Sequence, residues 1–565
     1  MTRNFWGPTR TDGIWTLRLW APAAGQVDLL LNDKVLPMAR DDQGLWTAEA
    51  EAEAGSTYLF RVDGQDMPDP ASRLQAGGVS DASVLVGAGN HDWRCDWQGR
   101  DWAEAVIYEM HVGTFTPAGT FAAAAERMAG LADLGFTAIE LMPLGQWSGQ
   151  RGWGYDGVLP YAPHPAYGSP DELKALVEAA HEAGLMVILD LVMNHFGPEG
   201  AWLHHSSPDF FNPDRHTPWG ASIDFAQPAV RDYWTGCALH WLNEYRMDGL
   251  RLDAVHQIAG PGADAFMVDF AQQVHALSPR RHLITEDDRN IPDLREGAGY
   301  DASWNDDFHH SIHVALTGED DSYYATFAKD PVGDLALALS RGHVEEGQPR
   351  EGRDSPRGQP CGHLQPTAFV NATQTHDQVG NRAHGDRLLT LADPEGVAVA
   401  YALLLVAPFV PMVFMGEERG ETNPFQFFAD YTGDLAEAVR KGRAAEFAGI
   451  AALGDTVPDP LSPETFQRSQ LGWREDAQAQ SWLTLTREAL GFRARHVVPL
   501  LKSGLTGADV TRPEPGLIRA RWQFGTGTLA LSLAFGQPDP DPLADPHLRA
   551  GRADGPYSLT VKAML

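Results

Sequence analysis

Across residues 1–92, apolar and polar positions alternate with a period of two in short runs: TLRLWAP from Thr16, VDLLLND from Val27, LWTAEAE from Leu45 and TYLFRVDG from Thr57. Residues two apart share one face of a strand, so each run has a face to bury and a face to solvate. Turn residues punctuate the runs about every ten positions, which predicts a small immunoglobulin-like β-sandwich. From residue 103 the pattern changes to near-continuous apolar runs that close on polar residues and alternate with amphipathic stretches. The runs are VIYEMHV from Val106, AIELMPL from Ala138, MVILDLVMNH from Met186, MDGLRLDAV from Met247, HLITEDD from His282, ASWNDDF from Ala302, TAFVNATQTHD from Thr367 and PMVFMGEE from Pro411. Strands buried on both faces read this way, and eight of them predict the α/β class and a (β/α)8 TIM barrel. Stretches 121–134 and 171–183 carry helical periodicity, the second opened by Ser169-Pro170 as cap and first turn. About fifteen residues separate the fifth and sixth runs, so that crossover is expected to be short or degenerate. Beyond residue 495, LIRARWQF and LALSLAF alternate again and predict a C-terminal β-sandwich. The expected partition is a β-sandwich over 1–92, a barrel over 93–494 and a β domain over 495–565.

One apolar run, 397–415, reaches membrane-spanning length, but it contains Pro408 and Pro411 and ends at Glu417-Glu418. A proline near the middle disfavours one spanning helix, so a buried helix to about Val406 and a short strand from Met412 are predicted. The connections 196–229 and 309–364 are long. The second holds RGHVEEGQPREGRDSPRGQP, read as an active-site lid or a disordered surface loop. The N-terminus carries no apolar run of signal-peptide length, which makes the cytoplasm the expected location.

Composition removes several classes. The 565 residues carry 43 Lys+Arg against 76 Asp+Glu, a formal charge of −33, which argues against nucleic acid as a partner. The three cysteines, Cys95, Cys237 and Cys361, form no disulfide framework and no structural zinc spacing. In this barrel type, catalytic groups stand where strands end. Here those positions hold His111, Asp190, Asn194, His195, Arg251, Asp253, His256, Glu286, Asp287, Asp306, His376, Asp377 and Glu417. Carboxylates that follow apolar strand residues are costly to leave unpaired, so such a cluster implies either a salt-bridged rim or an acid/base site.

Four short motifs occur in order: DLVMNH from Asp190, GLRLDAVH from Gly249, the Glu of ITED at Glu286, and THDQ from Thr375. On these the chain resembles the α-amylase superfamily of retaining glycoside hydrolases. YLFRVDG followed by PDPASR is similar to the N-terminal β-sandwich of its branching and debranching members. EDDRN, SWNDDFHHSIH, HDQVGNR, and FMGEE with PFQFFAD are similar to the branch that acts on maltooligosyltrehalose. The resemblance implies Asp253 as nucleophile, Glu286 as general acid/base and Asp377 as the third carboxylate. It implies contacts to sugar from Tyr155, Asp156, His195, Arg251, His256 and His376, with Asp190 paired to Arg251.

The implied reaction cleaves the α-1,4 bond beside a terminal trehalose, with maltooligosyltrehalose and related α-glucans as substrates and no cofactor. Asp287, Arg289, Asn290 and the loop 341–359 are placed to wall the product side. That loop has no aromatic residue from Arg341 to Gly362, a departure from the family, and Arg353 is the candidate for the family's trehalose-contacting arginine. No metal is expected, although Asn194 matches a calcium-ligand position of some α-amylases. His309, His310 and His313 are read as a hydrogen-bonded rim. Trp147, Trp153, Trp202, Trp219 and Trp304 are candidate sugar platforms, some of them core. Two other readings are a glucan branching transferase and a noncatalytic glucan-binding protein.

Overall fold

The computed structural model describes residues 6–87, 91–217, 220–447 and 457–564. All eight apolar runs form parallel strands of one closed barrel. They are β1 (Ile107–Met110), β2 (Ala138–Leu141), β3 (Met186–Leu191), β4 (Gly249–Leu252), β5 (His282–Thr285), β6 (Ala302–Trp304), β7 (Phe369–Ala372) and β8 (Val410–Phe414), with β8 pairing back onto β1. Ile107, Ala138, Met186, Ile188, Ile284, Ala302, Val370 and Met412 fill the lower barrel, all of them buried. The inward positions above them are polar, so the lumen changes from hydrocarbon to charge over about one strand length.

Helix Pro170–Glu182 starts on a capping box in which Ser169 and Glu172 satisfy each other's backbone N–H. The amphipathic stretch 121–134 is two helices, Phe121–Ala125 and Met128–Leu134. Between β5 and β6 only one helical turn, Leu294–Ala298, stands where a crossover helix belongs. The run 397–415 divides into helix Pro394–Val406 and β8, and no helix among the described residues is long and apolar enough to cross a membrane.

The N-terminal unit packs a sheet containing Thr9–Thr11, Ile14–Trp20, Leu45–Glu51 and Ala39–Arg40 against one built on Val27–Leu31 and Thr57–Val62. At the C-terminus, Leu505–Glu514, Leu517–Phe524, Gly527–Phe535, Leu548–Gly551 and Tyr557–Met564 make one antiparallel sheet. Helices supply the layer opposite it, in place of a second sheet. The buried Trp522 indole on its inner face donates to Leu339 O of helix Pro331–Arg341 at 3.1 Å.

The segment 342–362 is pinned. Asp307 accepts the backbone N–H groups of Val344 and Glu345, both at 2.8 Å, and Asn290 Nδ2 at 2.9 Å. Arg357 bridges Asp307 at 2.7 Å and Glu345, while Arg353 grips Glu345 at 2.8 and 2.7 Å. These anchors lie up to 50 positions apart in sequence, and they hold the segment over the barrel mouth.

Candidate active site

Arg251 organises the barrel mouth. Its guanidinium is fully buried, and three carboxylates converge on it: Asp190 at 2.6 Å and Asp253 at 2.9 Å on Nη1, and Glu286 at 2.8 Å on Nη2. Register explains the convergence. Asp190 on β3 pairs directly with Arg251 on β4; Asp253 follows Arg251 by two, and Glu286 follows its β5 neighbour Ile284 by two. The Trp304 ring lies 4.0 Å beneath the guanidinium carbon. Asp190 also accepts the Tyr155 hydroxyl at 2.5 Å, which leaves Asp190 an orienting partner.

Asp253 accepts Asn194 Nδ2 at 2.7 Å as well as Arg251. Next to it, Ala254 holds a left-handed conformation at φ +42°, an uncommon one for a residue with a Cβ. That bend aims the Ala254 N–H at Glu286 Oε2, 2.9 Å away. Burial and the neighbouring Asp253 charge push the Glu286 pKa up, against the opposing pull of Arg251. Asp377 opens a short helix on a Thr375 capping box, and its side chain is 37% exposed. Gly380 on the same turn is required: a Cβ there would sit 2.1 Å from the Trp153 ring.

His195 bonds Asn194 Oδ1 at 2.6 Å and Tyr155 O at 3.0 Å, and burial pulls its pKa down to about 4, so it is neutral. Asn194 thus uses both ends of its amide on Asp253 and His195. The Tyr155 ring stacks on His376 at 5.0 Å. Asp156 is partly buried, which pushes its pKa up, and accepts a hydrogen bond from Tyr431. On the opposite rim, His256 Nδ1 stands 3.4 Å from Asp288, and both oxygens of Asp287 are taken by Arg289 at 2.8 Å. His256, Asp287 and Asp288 form the one three-residue group among the described residues whose ligand atoms fall within 4.8 Å of one another. Arg353 lines a cavity of about 560 Å³ with Asp288, Arg289 and Arg357. A larger cavity, about 690 Å³, lies between the N-terminal sandwich and helix Pro228–Glu244 and contains none of these groups.

The expected histidine rim is tied to protein atoms. His309 meets Thr373 O and the Tyr324 hydroxyl at 2.6 and 2.9 Å, and His313 meets Glu319 at 2.7 Å. Trp147 is core, stacked on His164; Trp153 packs on Phe425; Trp202 is partly buried; Trp219 lies outside the described residues. Three residues escape a reading of the sequence. Glu109 on β1 bonds His376 Nδ1 at 2.5 Å, and Glu140 stands beside it on β2. Tyr323, 42% exposed, sits on the turn Ser322–Phe327 against His310, and the charges of Asp377 and Asp306 reach its hydroxyl. For the two glutamates a signal is present, a lone acid inside an apolar strand run. For Tyr323 there is none, since its loop has no periodicity.

The alpha amylase catalytic domain matches residues 109–221, and carbohydrate-binding module 48, the isoamylase N-terminal domain, matches residues 6–77. The chain is 41% identical over 531 residues to the malto-oligosyltrehalose trehalohydrolase of Deinococcus radiodurans, covering 92% of this chain and 87% of that one. It is 40% identical over 476 residues to that of Saccharolobus solfataricus, 82% of each. A crystal structure from Salmonella typhimurium, designated a putative alpha amylase, superposes with a TM-score of 0.95 at 45% identity over 99% of both chains. With its barrel, its N-terminal module and its buried carboxylate cluster together, the chain belongs to the malto-oligosyltrehalose trehalohydrolases of the α-amylase family of glycoside hydrolases.

Proposed function

We propose that the chain cleaves the α-1,4 bond next to the terminal trehalose of maltooligosyltrehalose with retention of anomeric configuration, releasing free trehalose. The observation that carries this reading is the single buried guanidinium shared by Asp253 and Glu286. Arg251 and Asn194 each donate a hydrogen bond to Asp253 and hold it aimed, as a nucleophile requires. Asp253 attacks the anomeric carbon. Glu286, its pKa raised by burial and the nearby Asp253 charge against the pull of Arg251, gives its proton to the departing 4-oxygen of the trehalose. The glycosyl group is then bound to Asp253 as an ester. Glu286, now ionised, takes a proton from water as that water attacks the same carbon, which frees Asp253. Asp377 lies on the open side, placed to steady positive charge on the ring.

His195, His376 and Tyr155 fit the sugar on the cleaved side, with Asp156 at its rim. His256, the Asp287–Arg289 pair, Arg353 and Tyr323 fit the trehalose side. Tyr323 supplies the aromatic face that the loop from Arg341 to Gly362 lacks. The partition 1–92, 93–494 and 495–565 belongs to the same proposal. Incubation with maltooligosyltrehalose tests it: free trehalose and a shortened maltooligosaccharide are expected. New α-1,6 branches from amylose without free trehalose would overturn it in favour of a branching transferase.

A further inference from the structure

His376 is held from below by a residue that no step above uses. Glu109 Oε1 lies 2.5 Å from His376 Nδ1, and Glu109 Oε2 accepts the His376 backbone N–H at 3.2 Å. One carboxylate therefore fixes the ring and the backbone of the same residue. The other ring nitrogen, Nε2, is left facing Asp377, 3.4 Å away, on the open side of the site. The ring has little freedom, since Tyr155 stacks on one face and Trp153 and Trp304 meet its edges.

Glu140 is the direct register partner of Glu109 on β2, so both side chains point into the barrel. Each residue is 1% exposed. The two differ in their partners: Glu109 has His376, while both carboxyl oxygens of Glu140 are buried without a hydrogen-bond partner. An ionised carboxylate in that state is costly, and a neutral acid much less so. Burial first, then the charges of Glu109 and Asp190, push the Glu140 pKa well up, against Arg251 and His376. The titratable groups that face His376 are Glu109 from β1, Glu140 from β2, His111 after β1, Arg251 from β4, Glu286 after β5 and its own neighbour Asp377. Burial opposes a charge on the imidazole, but Asp377 and Glu109 outweigh it and lift the His376 pKa to about 9.

We propose that Glu109 is a positioning residue of the reaction. It clamps His376 so that a charged Nε2–H points at the sugar bound over Asp253, while Glu140 stays beside it as a neutral acid. This rests on the active-site reading above. Glu109 donates no proton and touches no reacting atom. It keeps a positively charged donor fixed where the sugar oxygens lie, so the donor need not reorient as the transition state forms.

The test compares the wild type with Glu109→Gln, Glu109→Asp and Glu140→Gln, using circular dichroism to confirm folding. With Gln at 109 the imidazolium keeps only Asp377 as a close counter-charge, so it is lost near neutral pH. The deficit of E109Q in kcat/KM is expected to widen by about tenfold between about pH 5 and about pH 8. E109D is expected to recover most of the activity, and E140Q to stay within about threefold of wild type throughout. A purely structural Glu109 would give a deficit independent of pH, and that result overturns the proposal. A loss of more than about tenfold in E140Q overturns the neutral-acid assignment.

A second readout separates this inference from the catalytic reading. In histidine-labelled protein, the NMR resonance that disappears in His376→Gln is expected to titrate above about pH 8 in wild type and E140Q, and below about pH 7.5 in E109Q. Equal titration in wild type and E109Q overturns the inference even if trehalose is released. A shift as expected, without trehalose release, leaves Glu109's role intact and removes the substrate assignment.

Discussion

Two arginine–carboxylate clusters stand at the barrel mouth, one around a fully buried guanidinium and one around three partly buried ones, and they differ in charge balance. Around Arg251 one guanidinium serves three carboxylates, Asp190, Asp253 and Glu286. Over the adjoining segment three guanidinium groups, Arg350, Arg353 and Arg357, serve three carboxylates, Asp334, Glu345 and Asp307. Burial alone disfavours ionisation in both. In the balanced cluster Arg357, His343 and a backbone N–H reverse that effect and hold the Asp307 pKa below its ordinary value. In the deficient cluster Arg251 is shared too widely, and Glu286 stays raised. Asp334 in the balanced cluster is itself raised by burial despite Arg350, so the contrast rests on two groups: Asp307, held low where it staples the segment, and Glu286, held high at the open site.

The largest expected effect breaks the deficient cluster chemically. Glu286→Gln should lower kcat about 10³-fold while substrate affinity changes only a few-fold, measured by steady-state kinetics and calorimetric binding. A surviving kcat would reassign the acid/base. Arg251→Met leaves Asp190, Asp253 and Glu286 buried without their cation, and should cost about 3–5 kcal/mol in urea unfolding along with nearly all activity.

Arg357→Gln addresses the staple. It unpairs Asp307 and part of Glu345, with an expected cost of about 3 kcal/mol and increased proteolysis within 342–362. Activity should fall through KM and far less through kcat; a loss in kcat equal to that of E286Q would erase the contrast between the clusters.

The pH dependence sharpens the same comparison. Asp307 is depressed, so its contribution is present above the unfolded value near about 3.9 and is lost as pH falls through the still lower folded value. His376 is raised to about 9, so its contribution is complete below its unfolded value of about 6.5 and is lost as pH rises through about 9. Melting temperature should therefore decline on the alkaline side, by the equivalent of about 3 kcal/mol, and His376→Gln should flatten that limb. Because activity needs protonated Glu286, kcat/KM should also fall as pH rises through the raised Glu286 value. The smallest effect is expected of Tyr323→Ala, about 1 kcal/mol or fivefold in kcat/KM on maltooligosyltrehalose, with little change on plain maltooligosaccharides.

Much of the fold is legible because buried parallel strands are largely apolar: each of the eight runs matches a strand found to within one residue at its start or contains it whole, and most close on the polar residues of the mouth. Ser169-Pro170 marks a helix start because capping is local chemistry. The missing crossover helix before β6 follows from chain length alone. Asp253, Glu286 and Asp377 are visible as motifs, but the convergence of Asp190, Asp253 and Glu286 on Arg251 depends on strand register, which no local pattern encodes. The segment after Arg341 reads as a lid or a disordered loop because Gly, Pro and charge dominate it; the ion pairs that fix it join Arg357 to Asp307 from another part of the chain. Glu109 and Glu140 are hidden by the apolar residues around them, which make the strands easy to see and their acids easy to pass over.

The central claim is that the charge-deficient cluster carries out double-displacement chemistry with Asp253 as nucleophile. Proton NMR of the new reducing end, recorded within the first moments of cleavage and before mutarotation, tests it directly. The maltooligosaccharide freed from trehalose is expected to appear first as its α-anomer and to relax towards the equilibrium mixture. An initial β-anomer would mean single displacement by water, and would contradict Asp253 as the nucleophile.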